Sequence, residues 1–177
     1  MKKICIIFLA LFIITLTAVG FSDGKTAKNT ATDDYLRIHI RADSNEKGAQ
    51  AVKYLVRDGI VAYLTPLVAE FSTKRDALDG IEENLDEISA VATSVLRKNG
   101  FSYGAKASLQ KEVFPTRVYD GYTLPSGEYS ALIVTLGQGE GDNWWCVVYP
   151  PLCFTGGQTA VVYKSKIKEI IRRFYAD

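Results

Sequence analysis

The sequence predicts an α+β domain: a small, largely antiparallel sheet of about four strands packed with a helical hairpin and a C-terminal helix. Three observations lead to this prediction. Apolar and polar residues alternate from Tyr35 to Arg41, which indicates a strand. Apolar residues recur every three or four positions from Asn45 to Lys98, which indicates helices. After Gly100 the period returns to two, and turn-forming Gly and Pro residues become frequent.

The chain begins with a segment typical of export. Lys2 and Lys3 precede an apolar run from Ile4 to Leu16, and small residues follow it. This pattern predicts a signal peptide over residues 1–22, although the run is also long enough to remain as an N-terminal anchor. In both cases the remainder lies outside the cytoplasm and meets a membrane only through this segment.

The rest of the chain is predicted to divide into a spacer and one domain. Residues 23–34 are polar and carry too little apolar surface to fold, so they form a flexible spacer. Residues 35–177 suffice for a single domain. Removing residues 1–22 takes away two lysines and no acidic residue, so the formal charge changes from +1 to −1. This charge gives no reason to expect nucleic acid as a partner.

Two helices are expected after the first strand. Asp43 precedes Glu46 by three positions, a spacing typical of a capping box, so the first helix runs from about Asn45 to Leu64. Pro66 should end or kink it. The second helix spans about Thr73 to Lys98, and its apolar stripe packs on the first helix to form a hairpin.

Three more strands and a final helix complete the predicted domain. In the earliest of these three strands, apolar and polar residues alternate from Tyr103 to Gln110. A turn-rich connection then leads to the next strand, from Glu128 to Leu136. Glycines 137, 139 and 141 then join this strand to the third as in a β-hairpin, because glycine supplies the positive φ that a reversal needs. The amphipathic pattern of residues 159–175 predicts the C-terminal helix.

The third of these strands is the most unusual part of the chain, since two adjacent tryptophans, two cysteines and a double proline fall between Asn143 and Phe154. Successive side chains of a strand point to opposite faces, so Trp144 and Trp145 lie on different faces. Both faces therefore carry large apolar groups, and either a helix layer or a partner protein must cover the second. One tryptophan can anchor the core while the other anchors a partner.

Cys146 and Cys153 are the two cysteines of the predicted exported part, in a compartment that permits disulfides. Extended chain would separate their Cα atoms by about 23 Å, whereas a disulfide needs about 7 Å or less. They can pair only if the chain reverses at Pro150 and Pro151. The alternative is two buried thiols that pack as small apolar side chains.

No catalytic residue, metal site or cofactor is expected, and the chain is not predicted to be an enzyme. The single histidine, His39, lies on the polar face of the first strand, where a solvated or hydrogen-bonded surface role is expected. The sequence places no nucleophile beside it. One histidine and two cysteines fall short of a zinc signature, and the glycine run lacks the spacing of a phosphate loop.

Several motifs together resemble the stage II sporulation protein R family of endospore-forming bacteria. The motifs are Leu36-Arg37-Ile38-His39-Ile40, Val56-Arg57-Asp58, Phe114-Pro115-Thr116-Arg117 with Tyr119, Leu124-Pro125-Ser126-Gly127-Glu128-Tyr129, and the glycine run continuing through Asn143-Trp144-Trp145-Cys146 to Pro150-Pro151-Leu152-Cys153-Phe154. One departure is Ala42-Asp43-Ser44-Asn45, where the family has Ala-Asn-Ser-Asp. The exchange should keep helix capping but weakens any claim that this loop touches a partner.

The resemblance implies a secreted signalling protein, made in the forespore and exported into the space between the two membranes of the sporulating cell. There it would activate a membrane-embedded aspartic protease that removes the pro-sequence of sigma-E. The residues expected at the partner-binding surface are Asn143, Trp144, Trp145, Tyr149, Glu140, Arg117 and Tyr119. The alternative function is a secreted cell-wall hydrolase or carbohydrate-binding module, in which the tryptophans and Tyr149 stack on sugar rings.

Overall fold

The structure, a computed structural model, describes residues 30–119 and 122–153. The predicted signal peptide or anchor, most of the predicted spacer and the predicted C-terminal helix lie outside the described residues. The end of the predicted spacer includes a one-turn helix, α1 (Thr30–Asp33). None of the helices in the described ranges is both long and apolar enough to cross a membrane.

In residues 30–119 and 122–153, six strands form two sheets. Their bounds are β1 (Leu36–Arg41), β2 (Ala105–Phe114), β3 (Arg117–Tyr119), β4 (Tyr122–Leu124), β5 (Gly127–Leu136) and β6 (Asn143–Tyr149). Four strands make a sheet in the order β2-β5-β1-β6, while β3 and β4 pair with each other. The predicted α+β class is confirmed, but the sheet is mixed rather than purely antiparallel. Its central pair, β1 with β5, is parallel, because the N-terminal strand of the domain inserts between two later strands.

The glycine loop, residues 137–142, does not close a β-hairpin as predicted. β1 separates β5 from β6, so the loop crosses the end of β1. The predicted positive φ is present at two of the three glycines, since Gly137 and Gly139 have φ angles of 55° and 70°. The predicted pairing of β5 with β6 is wrong because a turn sequence carries no information about β1, which lies about a hundred residues earlier in the chain and inserts between them.

The long helix α2 (Lys47–Glu70) continues through Pro66, which was expected to end or kink it. Leu64 and Val68 are buried on either side of the proline. Their burial holds the helix against the sheet and offsets the backbone hydrogen bond that proline cannot donate.

The second predicted helix is two helices, α3 (Lys74–Glu82) and α4 (Leu85–Lys98). Asn84 separates them: its Nδ2 donates to the carbonyl of Gly80 at 2.8 Å, and its Oδ1 accepts a hydrogen bond from the Tyr63 hydroxyl at 2.6 Å. The apolar stripe is continuous across the break, so periodicity alone could not reveal it.

Asp43 does not cap α2, contrary to the capping box that the sequence predicted. The N-cap residue is Glu46, which makes no side-chain capping hydrogen bond. The Asp43 carboxylate instead accepts a hydrogen bond from the main-chain N–H of Gln138 in the glycine loop. A tertiary contact has therefore replaced the local one.

The helices α2, α3 and α4 pack on one face of the four-stranded sheet and bury its apolar side chains there. A smaller cluster covers the opposite face and consists of Phe114, Tyr129, Ala131 and Ile133, with Tyr35 and Trp145 packed against it. β6 contains a bulge: Val147 pairs with Arg37, but Tyr149, not Val148, pairs with Leu36. Val148 and Tyr149 consequently both join the helix-side core, which breaks the strict alternation assumed from the sequence.

Candidate partner-binding site

The glycine loop is held by side chains of the loop that follows β1. Asp43 Oδ1 accepts a hydrogen bond from Gln138 N at 2.8 Å, and Asn45 Oδ1 accepts one from Asp142 N at 2.6 Å. Each bond requires one side-chain oxygen, which both aspartate and asparagine supply. Exchange of the Asp and Asn side chains between positions 43 and 45 would therefore retain both acceptors.

The two loops approach each other so closely that a side chain at Gly141 has no room. A Cβ atom there would lie 2.2 Å from the carbonyl oxygen of Ser44. Beneath the loop, the buried Lys53 donates from Nζ to the carbonyl of Asp142 at 2.9 Å and to Gln50 Oε1 at 2.7 Å. These contacts fix the point at which β6 begins, and with it the position of both tryptophans.

Trp144 is half-buried at the margin of the helix-side core, on the outer strand β6. The Arg57 guanidinium lies 5.8 Å from its ring centroid and 5.1 Å from that of Tyr54, whose side chain is 45% exposed. We call Tyr54, Arg57 and Trp144 the Trp144 patch. Trp, Tyr and Arg are the residue types that most often dominate binding energy at protein interfaces. The patch therefore has the composition of a partner anchor.

Trp145 lies on the opposite face and stacks on His39, with ring centroids 3.7 Å apart. His39 is only 2% exposed, so the predicted surface histidine is in fact buried. Its Nδ1 lies 3.1 Å from Glu112 Oε2, and Arg41 donates to the other oxygen of that carboxylate. Burial lowers the pKa of His39 from its ordinary value, although the nearby Asn143 and Glu112 side chains act in the opposite direction. The ring is therefore neutral at pH 7, and Nδ1–H donates to Glu112.

Arg37 is completely buried on the same face of the sheet. Its guanidinium carbon lies 4.1 Å from the ring centroid of Phe114, 4.9 Å from that of Tyr129 and 5.7 Å from that of Tyr119. We call these four residues the Arg37 cluster. Nη2 donates to the Tyr119 hydroxyl at 2.6 Å, whereas Nε and Nη1 have no hydrogen-bond partner among the described residues. Burial lowers the pKa of Arg37.

The predicted partner-binding residues gather at two places. Glu140, Asn143 and Trp144 lie at the glycine loop and the start of β6, and the first two are exposed. Arg117 and Tyr119 lie on β3, and Tyr119 belongs to the Arg37 cluster through its hydrogen bond with Arg37. Sequence patterns alone did not indicate that these residues form two separate groups.

Trp145 lies between the two groups, because its ring contacts Phe114 edge-on at a centroid distance of 4.7 Å. Tyr149 belongs to neither group. Its side chain is 3% exposed, and its hydroxyl donates to the carbonyl of Ser72 at 2.8 Å. The ring of Tyr149 is thus part of the core.

Sequence reasoning missed Arg37, His39 and Glu112 as parts of a buried network. Strand alternation assigned the first two to a solvated face, and nothing local marks the third. The available signal was indirect: aromatic residues of separate motifs need a common place to pack, and a basic residue on a central strand can lie among them.

Cys146 and Cys153 lie at disulfide distance, with Cα atoms 6.3 Å apart. The chain turns at Pro150 and Pro151, as pairing requires. Cys146 is buried and Cys153 half-buried against the helix-side core. In residues 30–119 and 122–153, no group of three or more His, Cys, Asp or Glu side chains could hold a metal ion.

The sequence of this chain matches a known protein family. The family model described as Stage II sporulation protein R (spore_II_R) matches residues 32–159. Stage II sporulation protein R of Bacillus subtilis (strain 168) is 35% identical over 161 residues, which cover 87% of this chain and 72% of that protein. No solved structure matches the chain. The matched region contains both groups of candidate residues.

Proposed function

Because the chain belongs to the stage II sporulation protein R family, we propose that it is an exported signalling protein of sporulation that activates a membrane-embedded aspartic protease. The activated protease removes the pro-sequence of sigma-E. The chain acts by binding and contributes no catalytic group of its own. The supporting observation is that motif residues distant in sequence converge on the Trp144 patch and the Arg37 cluster, next to exposed polar residues.

The proposed place of action is the space between the forespore and mother-cell membranes, which the protein reaches through its N-terminal segment as a cleaved signal peptide or an anchor. The proximity of Cys146 and Cys153 supports an oxidising destination. In protein recovered after export we expect these thiols to be joined. Intact mass should show the loss of two hydrogens, and alkylation in denaturant should label neither cysteine. Labelling of both would contradict the proposed pairing.

The Trp144 patch is the proposed anchor for the protease. Its tryptophan ring keeps one side against the core, which fixes the ring, while the neighbouring Tyr54 remains largely exposed. A rigid aromatic side chain loses little conformational entropy when a partner covers it. Glu140 and Asn143, exposed at the same end of the sheet, supply polar groups for the rim of such an interface.

Co-expression with the protease and pro-sigma-E in a non-sporulating host tests the proposal, with cleavage as the readout. Trp144→Ala should remain folded, at a cost of about 1–2 kcal/mol for a half-buried side chain, and should lose cleavage. Trp145→Ala should be less stable, since it uncovers the buried His39. Val113→Ala, at a 70% exposed position on the other outer strand of the four-stranded sheet, is the control and should change neither property.

Two results would contradict the proposal. If wild-type protein produces no cleavage, protease activation is wrong. If Trp144→Ala remains folded and fully active, activation can stand but the patch is not its surface. Incubation with purified peptidoglycan tests the cell-wall alternative, because saturable binding or released fragments would favour that function.

A further inference from the structure

Burial of the Arg37 side chain is energetically unfavourable. A guanidinium carries a permanent charge and five N–H donors, and water normally compensates both. Here the side chain is 0% exposed, one nitrogen has an acceptor, and no carboxylate of the described residues forms an ion pair with it. Contacts with aromatic faces recover part of the cost. A buried polar group left without partners still requires an explanation.

A purely structural role explains Arg37 poorly. Methionine or leucine would fill the space between the rings without any unpaired N–H group, and apolar replacement of buried charges is often neutral or stabilising. The fold therefore gains little from the guanidinium. Residues that cost stability in this way are concentrated at functional sites, where a ligand supplies the missing interaction.

Of the three aromatic rings around Arg37, those of Phe114 and Tyr129 are fully buried and that of Tyr119 is not. It is half-buried, and its hydroxyl is the single acceptor bound to Nη2. It belongs to the short β3–β4 ladder, which pairs with no other described strand. A phenol oxygen is a weaker acceptor for a guanidinium than a carboxylate, which forms shorter and roughly twofold stronger charge-assisted bonds. A carboxylate that approached this point could replace the phenol.

The surroundings of Tyr119 select for such a group. Arg117 is exposed on the same strand, and both Arg37 and Arg117 lie close enough to lower the pKa of the Tyr119 hydroxyl, although its burial outweighs them and raises that pKa. Tyr122, which pairs with Tyr119 and so lies on the same face of the β3–β4 ladder, is 38% exposed. Positive charge thus lies next to exposed apolar surface.

We propose that Arg37 is a concealed carboxylate-binding site covered by the Tyr119 side chain, and that an acidic side chain of the partner polypeptide displaces the Tyr119 hydroxyl from Nη2. The partner segment has an apolar residue beside that acidic residue, which contacts Tyr122. The role of the site in activation rests on the proposed function. Carboxylate binding itself does not, because it is a property of the isolated chain.

Substitutions at Arg37 and Tyr119 test the assignment in the cleavage assay. Arg37→Met should melt no lower than wild type and should reduce cleavage at least about tenfold, since it removes the partner of a desolvated charge. Tyr119→Phe removes the competing acceptor, so cleavage should reach half its maximum at a lower concentration of the protein than with wild type. The matched control is Arg75→Met, which removes an exposed arginine of α3 and should leave melting and cleavage unchanged.

A direct titration separates the site from the signalling role. The exported protein is titrated with sodium formate while the Arg Nε–H resonances are followed by NMR, and sodium chloride at equal ionic strength is the control. One resonance, absent in Arg37→Met, should shift saturably with formate and not with chloride, at lower formate concentration in Tyr119→Phe than in wild type.

Each outcome decides the proposal. Equal shifts with formate and chloride, or no shift in either protein, would overturn the site. A large drop in the melting temperature of Arg37→Met would show that the guanidinium is structural and would overturn it as well. Formate binding in a protein that fails to trigger cleavage would retain the carboxylate site and refute the proposed function.

Discussion

The two faces of the four-stranded sheet are built on opposite principles. On the helix side, β1 contributes Ile38 and Ile40 to a continuous apolar core. On the other side the same strand contributes Arg37 and His39, which are equally buried but charged or polar, among aromatic rings and the Glu112 carboxylate. The first face needs only volume and apolar area, whereas the second depends on specific partners at specific distances.

This difference separates what stabilises the fold from what the fold can do. Apolar burial stabilises a protein roughly in proportion to area and tolerates substitutions that conserve volume. A buried polar network contributes less net free energy and is easily damaged, because each group left unpaired retains its desolvation cost. The apolar interior of the helix side therefore defines the domain, whereas the Arg37 cluster on the opposite side joins the Trp144 patch, at the margin of the helix side, as a candidate for specificity.

The largest effect is expected for Phe114→Ala, which tests whether the second face is also a core. Phe114 is fully buried and contacts Arg37, Trp145 and Tyr129. Its truncation should lower the free energy of unfolding by about 3–5 kcal/mol, measured by urea denaturation. The adjacent Val113→Ala is the control and should cost less than about 0.5 kcal/mol. A loss below about 1 kcal/mol for Phe114→Ala would show that this face is only a loose cover.

A smaller effect is expected at the glycine loop, which connects β5 to β6 at the end of the sheet. Gly141→Ala places a Cβ atom against the Ser44 carbonyl, a backbone atom that cannot rotate away, so we expect a loss of about 2–3 kcal/mol. Gly100→Ala is the control: its φ is 83° and the space around it is open, so only about 1 kcal/mol of left-handed strain applies. Equal losses would show that the two loops move apart without cost.

The sequence was sufficient for the features set by local patterns. Alternation located β1 and β2, a run of β-prone residues located β5, and helical periodicity located the helical region. Gly137 and Gly139 have the positive φ that was expected of the glycine run. The sequence was insufficient where distant segments decide. The parallel pairing of β1 with β5 and the break at Asn84 both depend on tertiary contacts that carry no local signature.

The candidate site was predicted only in part, for a related reason. Trp144 and Tyr119 were identified through their motifs and do lie at the surface or at its margin. Arg37 and His39 were assigned to solvent because their strand alternates, and alternation does not show that another layer covers the second face. Only the positions of Phe114 and Trp145 in space reveal that cover.

The smallest expected effect comes from protonation of His39, and it tests how tightly the second face excludes water. Burial lowers the folded-state pKa below the ordinary value of 6.5, so the unfolded chain binds a proton at a higher pH than the folded protein. The stability that neutral His39 contributes is therefore complete above about pH 7.5. It declines as the pH falls through 6.5 towards the folded-state pKa, with a slope of at most about 1.4 kcal/mol per pH unit.

Because the chain contains one histidine, a single variant isolates this effect. Urea denaturation between about pH 7.5 and pH 5.5 should show a declining free energy of unfolding for wild type and a flatter profile for His39→Gln. Carboxylates titrate mainly below this range and do so in both proteins, so the difference between the profiles reports His39 alone. Parallel profiles would mean that the imidazolium is tolerated where it lies, between the Trp145 ring and Glu112. The face opposite the helices would then accommodate both the neutral and the protonated form of His39. The difference in polarity between the two faces would then depend on the buried Arg37.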